Sequence, residues 1–461
     1  MHYEKFQDGT VKCIEDEIPF ELPEGWEWTR LGSVFFTVTG STPSTKDTSL
    51  YGIDYPFYKP ADLDAGYKVF KSESTVSEKG YRSGRPLPPH SVLVTCIGAT
   101  IGKTGYIHNA GICNQQINAI LPNTDILSDY TYFCICSQFE QQQILINSSA
   151  TTLPILNKSK FDNLLFPVPP HEQQLLIVDK IQGMLTLVNK IQDNQEFLKD
   201  KIIATKSKIL DLAIRGELVP QNPDDEPASV LLERIRAEKE ELIKKGKIKR
   251  DKKESVIFKG DDNSYYLRSE SKAIETTNEL PYEIPDSWEW ARIGDVLQVN
   301  PRNKIEDLLE VSFIPMPLID DGFSGKHTSE VRVWEKVKSG FTPFMEGDIG
   351  IAKITPCFEN RKSVVFRNLK NGYGAGTTEL HILRPYASTI LPEYILAYVK
   401  SSMFIGKGKQ EFTGAVGQQR IGKDYVENSC FPIPPFAEQT RIVEQIHIAY
   451  KQLDLISNAL L

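Results

Sequence analysis

The feature that most constrains this chain is that it says nearly the same thing twice. The segment DEIPFELPEGWEWTRLG, Asp16 to Gly32, returns as NELPYEIPDSWEWARIG, Asn278 to Gly294, with nine of seventeen positions identical. A second pair closes each copy: FPVPPHEQQLLIVDKI from Phe166 matches FPIPPFAEQTRIVEQI from Phe431 at eight of sixteen positions. The offsets are 278 − 16 = 262 and 431 − 166 = 265, so two modules of almost equal length follow one another. Two long copies argue against a solenoid and for tandem domains with pseudo-two-fold symmetry. Such a molecule is shaped to bind something that itself has two halves.

Within each copy, short β-branched and aromatic runs alternate with Gly, Pro and Asn. SVLVTCIG, TGYIH and NAIL read as strands of the first module, and DIGIAKI, SVVFR and ELHIL as strands of the second. Each module then carries one helix, near Tyr130–Ile146 and over PEYILAYVKSSMFIGK, and ends in a proline strap that sets an extended approach to a further helix. After the first strap the apolar positions Ile177, Ile181, Met184, Val188, Ile191, Leu198, Ile202, Ile209 and Leu212, completed by Gln195 and Thr205, step by four and three over five heptads. The second copy gives Ile442, Ile446, Leu453, Ile456 and Leu460 in the same rhythm, with Ala449 between them. These spacings predict coiled-coil seams, and two facing seams predict an antiparallel coil about 60 Å long.

The expected fold is therefore α+β: two tandem α/β domains separated by long helices. The boundaries read as a stub over 1–20, a first domain over 21–168, a helix over 169–217, a linker over 218–280, a second domain over 281–433 and a distal helix over 434–461. The linker opens on a capped helix, becomes a basic run from Lys244 to Lys253, and is expected to be flexible over 254–277.

Composition narrows the chemistry. Seven scattered cysteines without a CxxC predict reduced thiols, and seven isolated histidines predict no metal centre. No signal peptide or membrane span is read, so a cytoplasmic protein is expected. The net charge of −8 excludes indiscriminate coating of nucleic acid but allows a local basic groove. Catalytic motifs fail one by one. GATIGKT at Gly98–Thr104 is one residue short of a phosphate loop, because Ile97 stands where glycine is needed. The Pro-Pro straps follow Val168 and Ile433 in place of an amide that would bind a target amine. The Asp and Glu-x-Lys of a nuclease fall in the linker. No enzymatic activity is expected of this chain.

Several long motifs, in order, resemble the specificity subunit of type I restriction-modification enzymes: the repeated GWEW-type segment, NQQINAI at Asn114–Ile120, TTLPILNKSKFDNLLFPVPP at Thr151–Pro170, AIRGELVPQ at Ala213–Gln221 and GQQRIGKDY at Gly417–Tyr425. The resemblance implies two target-recognition domains, each reading one half of a split double-stranded DNA sequence. It also implies helices that dock two methyltransferase subunits, with restriction-translocase subunits added. S-adenosylmethionine, ATP and magnesium would then be bound by those partners and no cofactor by this chain. Against the family pattern, residues 1–20 look like a spacer tail, with Tyr3 matching Tyr265, and the distal helix looks shortened.

Reading bases in a major groove needs amides and guanidinium groups. The candidates are Lys103, Thr104, Asn114, Gln115, Gln116, Asn118, Lys158 and Lys160 in the first copy, and Lys353, Arg361, Lys362, Gln418, Gln419, Arg420 and Lys423 in the second. NQQIN reads equally as a strand with buried amides. Two other functions fit the chain less well: a non-catalytic bidomain protein-binding scaffold, which would give no salt-dependent DNA binding, and a fused methyltransferase or nuclease, which would bind its cofactor unaided.

Overall fold

The computed structural model describes residues 2–6, 8–148, 153–250, 255–269, 272–277, 280–386, 389–415 and 417–460. The chain divides into two compact units, Met1–Gln192 and Asp193–Leu461. The boundary falls inside one helix, His171–Arg215, rather than at its start.

The repeat in sequence is a repeat in topology. In the first unit a four-stranded antiparallel sheet runs in the order Thr37–Thr39, Ile117–Ile120, Val92–Thr95, Thr104–Tyr106. The second unit has the same order with Leu297–Val299, Leu380–Pro385, Ile349–Ala352 and Ser363–Val365. Each unit also holds a mixed sheet with one parallel pair, three-stranded with Phe57 against Ile112 in one unit and four-stranded with Ser312 against Gly374 in the other. The strands expected from SVLVT, TGYIH, NAIL, DIGIA, SVV and ELHIL are all present.

The two duplicated segments meet each other. Glu27–Arg30 pairs with Leu165–Val168, placing Trp28 opposite Pro167, and Glu289–Arg292 pairs with Cys430–Ile433, placing Trp290 opposite Pro432. Behind each strap a fully buried glutamine closes the unit. Gln174 accepts the Leu127 N–H at 2.8 Å and donates to the Pro169 carbonyl at 3.0 Å. Gln439 accepts the Leu391 N–H at 2.9 Å and donates to the Pro434 carbonyl at 3.1 Å. Leu127 and Leu391 stand just ahead of Ser128–Ile135 and Pro392–Val399, so each carboxamide ties a strap to the start of a helix. A tyrosine from that helix fastens the strap again: Tyr130 donates to the Pro167 carbonyl and Tyr394 to that of Pro432.

Four expectations need correction. The helix expected near Tyr130–Ile146 is two, Ser128–Ile135 and Gln138–Asn147, and its counterpart is likewise Pro392–Val399 and Ser402–Gln410. Ser137 and Ser401 cap the second helix of each pair, accepting from the N–H groups of Glu140 and Phe404, so each serine starts a new helix where a continuous one was read.

The stretch 218–280 is no free linker. The helix Ala228–Lys244 buries Leu231, Leu232 and Ile235 in the core of the second unit. Strands Ser255–Lys259, Tyr265–Ser269 and Lys272–Glu275 form an antiparallel sheet where flexibility was expected. The turn that permits it was visible, since Asn263 takes a left-handed φ of 62° within GDDNS. Of the basic run, residues 251–253 lie outside the described residues.

The seam is also used differently. Ile177 packs half-buried on the first unit's core, yet Met184, Val188, Ile191 and Leu198 are exposed by 65, 49, 50 and 41%. Burial resumes at Ile202 and follows Leu210, Ala213 and Ile214, leaving Thr205 exposed and Ile209 and Leu212 half-buried. This line advances by fours because a straight helix on a globular core drifts out of a strict heptad.

Finally, the helix Phe436–Ala459 buries Ile442, half-buries Ile446, Ala449, Leu453 and the following Leu460, and exposes Ile456. It meets the long helix through residues outside both expected seams. Tyr450 donates to the Lys206 carbonyl at 2.9 Å, and the Lys206 amine lies 2.5 Å from Asp454.

Gln174→Ala orphans a buried N–H and a buried carbonyl, which costs about 1–3 kcal/mol. Chemical denaturation should show the first unit unfolding earlier by that amount, and Gln439→Ala should do the same to the second.

Candidate nucleic-acid interface

The candidates cluster because of sheet register. In the first unit's four-stranded sheet, Thr39, Ile117, Thr95 and Thr104 lie at one end. The loops leaving that end are 40–47, 96–103 and 113–116. They close tightly on one another: a Cβ at Gly40 would stand 2.1 Å from the Asn114 carbonyl oxygen, so only glycine fits there. The second unit presents the matching end at Val299, Ala352, Leu380 and Ser363, with loops 300–307, 353–362 and 413–420 around it.

At the first end, Lys103 sits on a turn and pairs with Asp64 at 2.5 Å. Thr104 is buried and donates to the Gly102 carbonyl. Asn114 is buried and donates to Gln116, whose own N–H returns to the Asn114 carboxamide oxygen. Asn118 is 2% exposed, accepting from the Thr39 hydroxyl and donating to the Cys96 sulfur. Thr104, Asn114 and Asn118 are therefore internal groups, and NQQIN is a turn entering a strand with buried amides. Gln115 is exposed, with its oxygen held 2.5 Å from the Thr42 hydroxyl and its amide nitrogen free to donate.

Beside Gln115 a cleft of about 430 Å³ is lined by Thr42, Thr45, Tyr51, Phe57, Lys59, Ser74, Thr75 and Asn114. Exposed Lys46 follows on the same loop. Thr42, Thr45, Lys46 and Lys59 were missed by sequence reading; the polar run GSTPSTKDTS between two strands is the signal that finds the first three, and Lys59 follows the strand Tyr51–Tyr58.

At the second end, Arg420 makes a bidentate pair with Glu379 at 2.8 and 2.9 Å, which holds the carboxyl below its ordinary range. Gln418 is exposed, while the Gln419 backbone is tied to Thr355. Lys353 is half-buried at the end of its strand, and Lys362 donates to the carbonyls of Met316 and Ile319. Arg361 is turned inward: it donates to the Lys400 carbonyl at 2.9 Å and to Ser207 of the long helix at 3.2 Å, with Phe323 under its guanidinium. Exposed Arg302 and Lys304 lie on the 300–307 loop and were also missed.

Lys158 and Lys423 stand apart from these ends. They are equivalent, at an offset of 423 − 158 = 265, and each makes a 2.5 Å ion pair four residues on, with Asp162 and Glu427. Lys160 donates to the Asn147 carbonyl. These three lysines brace a short helix in each unit.

Residues 23–197 match the family profile described as type I restriction modification DNA specificity domain. The chain is 47% identical over 236 residues to the EcoAI type I restriction enzyme specificity subunit of Escherichia coli, covering 51% of this chain and 37% of that protein. It is 26% identical over 284 residues to the MjaIX specificity subunit of Methanocaldococcus jannaschii, covering 60% and 53%. The chain thus spans little more than a third to a half of these relatives. In fold it is similar to the crystal structure of the HsdS subunit from Thermoanaerobacter tengcongensis, with a TM-score of 0.53 at 17% identity over 96% of this chain and 94% of that one. The two-fold-repeated α+β architecture, the matched domain and the curated relatives agree in what this chain is similar to, the type I restriction enzyme specificity subunits.

Two predictions follow from the placement of these side chains. If the loop end faces phosphates, Lys46→Ala reduces the slope of log binding constant against log salt by about one. Asn118→Ala leaves the slope unchanged and lowers thermal stability, as expected of a buried amide. The second concerns Lys400, almost fully buried, whose amine donates to the carbonyls of Gly322 and Arg361 and whose pKa is lowered by burial from 10.5 to about 7. The unfolded chain then binds more protons between those values, so stability rises with pH across that window. Denaturation midpoints measured at pH 7 and 9 should rise for the wild type more than for Lys400→Met.

Proposed function

We propose that this chain is a non-catalytic DNA-reading subunit of a type I restriction-modification complex, each unit contacting one half of a bipartite double-stranded target. The observation that carries this reading is the repetition itself: the same four-stranded sheet occurs twice, and each copy gathers polar loops at the same end. Amides and guanidinium groups at such an end suit base edges, and the lysines beside them suit phosphates. Gln115, Lys46 and Lys59 in the first unit, with Gln418, Arg302 and Lys304 in the second, are the exposed groups best suited to that work.

The exposed apolar stretch of the long helix, Met184, Val188, Ile191 and Leu198, suits a partner rather than solvent. We assign it to two methyltransferase subunits, with restriction-translocase subunits joining the assembly. In that assembly the partners hold S-adenosylmethionine, ATP and magnesium, and the complex acts on DNA in the cytoplasm. No helix of this chain is long and apolar enough to cross a membrane among the described residues.

Two measurements test this. Replacing residues 281–433 by the equivalent domain of a relative should change one half of the methylated motif, read by methylome sequencing, and leave the other half intact. A change in both halves, or in neither, overturns the reading. Val188→Glu with Ile191→Glu, both at exposed positions, should abolish co-purification with the cognate methyltransferase subunit without lowering the melting temperature.

A further inference from the structure

The second unit buries a lysine where its counterpart does without one. Tyr394 and Ser401 match Tyr130 and Ser137 at a common offset of 264, and that offset puts Cys136 in the place of Lys400. The same pair of helices therefore forms in the first unit with no amine between them, so the repeated fold does not demand one. Lys400 is nonetheless 3% exposed.

Its hydrogen bonding is incomplete. The Lys400 amine donates to the Gly322 carbonyl at 2.6 Å and to the Arg361 carbonyl at 2.7 Å, which uses both N–H groups of the neutral form. The ammonium has a third N–H, and no acceptor meets it among the described residues. Burial first, and the Arg361 guanidinium second, push its pKa down to about 7, against the pull of Asp321 and Asp320. A buried ammonium short of one acceptor gains a charge-assisted hydrogen bond from any anion that reaches it.

Lys400 lines a cavity of about 620 Å³ that lies wholly within the second unit, a size that holds a small molecule. Leu210, Phe323, Leu396, Ile446, Tyr450 and Leu455 make its walls apolar. The other charged or titratable groups facing it are Lys206 on the long helix, Lys326 on the 323–326 loop, Glu393 on Pro392–Val399, and His447, Lys451 and Asp454 on Phe436–Ala459. Both carboxylates are already matched, Asp454 by Lys206 at 2.5 Å and Glu393 by Arg367 at 2.7 Å. Lys326 and Lys451 are exposed and make no ion pair among the described residues, so unbalanced positive charge stands over an apolar interior.

We propose that this cavity binds a small amphipathic anion, a carboxylate on a hydrocarbon body. Lys326 and Lys451 draw the anion in, Lys400 donates its third N–H to the carboxylate, and the hydrocarbon lies against Phe323, Leu396 and Tyr450. The site belongs to one unit alone and is independent of what the loops at the sheet ends bind.

The test titrates the full chain with decanoate by calorimetry, using decanol as the uncharged match and inorganic phosphate as an anion with no apolar body. One-to-one binding of decanoate in the micromolar range is expected, at least about tenfold tighter than decanol, with no binding of phosphate. Lys326→Glu with Lys451→Glu, both at exposed positions, should weaken decanoate at least about tenfold and leave decanol unchanged. Affinity for decanoate should fall between pH 6 and pH 9 as the ammonium is lost, and Lys400→Met should remove most of that fall. A structural lysine alone would leave ligand affinity without this dependence. Absence of decanoate binding, equal binding of decanoate and decanol, or binding that survives the charge reversal would overturn the proposal.

Discussion

Each unit is closed by one buried carboxamide. Gln174 and Gln439 accept from the start of a helix and donate to the carbonyl of the proline that ends the strap, and neither retains more than 1% of its surface. A glutamine in that position has no solvent to fall back on, so its geometry dictates where the strap, the helix and the returning strand lie relative to one another. The neighbouring residue secures the first tryptophan: Trp26 donates to Gln173 at 2.6 Å, and Trp288 donates to Glu438 at 2.9 Å. The four-stranded sheet and its loop end are built on this latch. The loops at the sheet end differ between the copies while the latch does not, since the fold is held by other residues.

The copies diverge where their surroundings differ. Gln173 is replaced by Glu438, whose carboxyl is raised by burial and which also accepts from Gln221. Arg361, a candidate for base contact by type and position, is instead consumed in joining the second unit's core to the long helix. Lys158 and Lys423 look like phosphate contacts in sequence and are matched helix braces in space. A charged side chain in a polar motif is thus an ambiguous signal, because a carbonyl or carboxylate of the same unit competes with an external ligand.

Much of the fold was legible in advance because it is written in periodicity and in duplication. The strands in VLVT, INAI and IGIA were found by their β-branched runs, and the straps by their prolines. The serine caps at Ser137 and Ser401 and the hairpin after Lys259 were missed because single turn residues outweighed longer-range pattern. The loop residues Thr42, Lys46 and Lys59 were missed because they belong to no repeated motif.

The sequence by itself determined that there are two copies, where the duplicated segments lie and much of the strand content. It did so because identical residues at a constant offset impose identical local structure, and because apolar spacing selects helix or strand. Only the tertiary structure decided which polar side chains remain available. Asn114 and Asn118 vanish into a turn and a strand, Arg361 is drawn inward, and Gln115 is left exposed, although all four have the residue types that base reading demands. It also decided that the tryptophans of one copy are buried and those of the other only half-buried. Availability depends on what packs against a residue from far along the chain, and no local pattern records that.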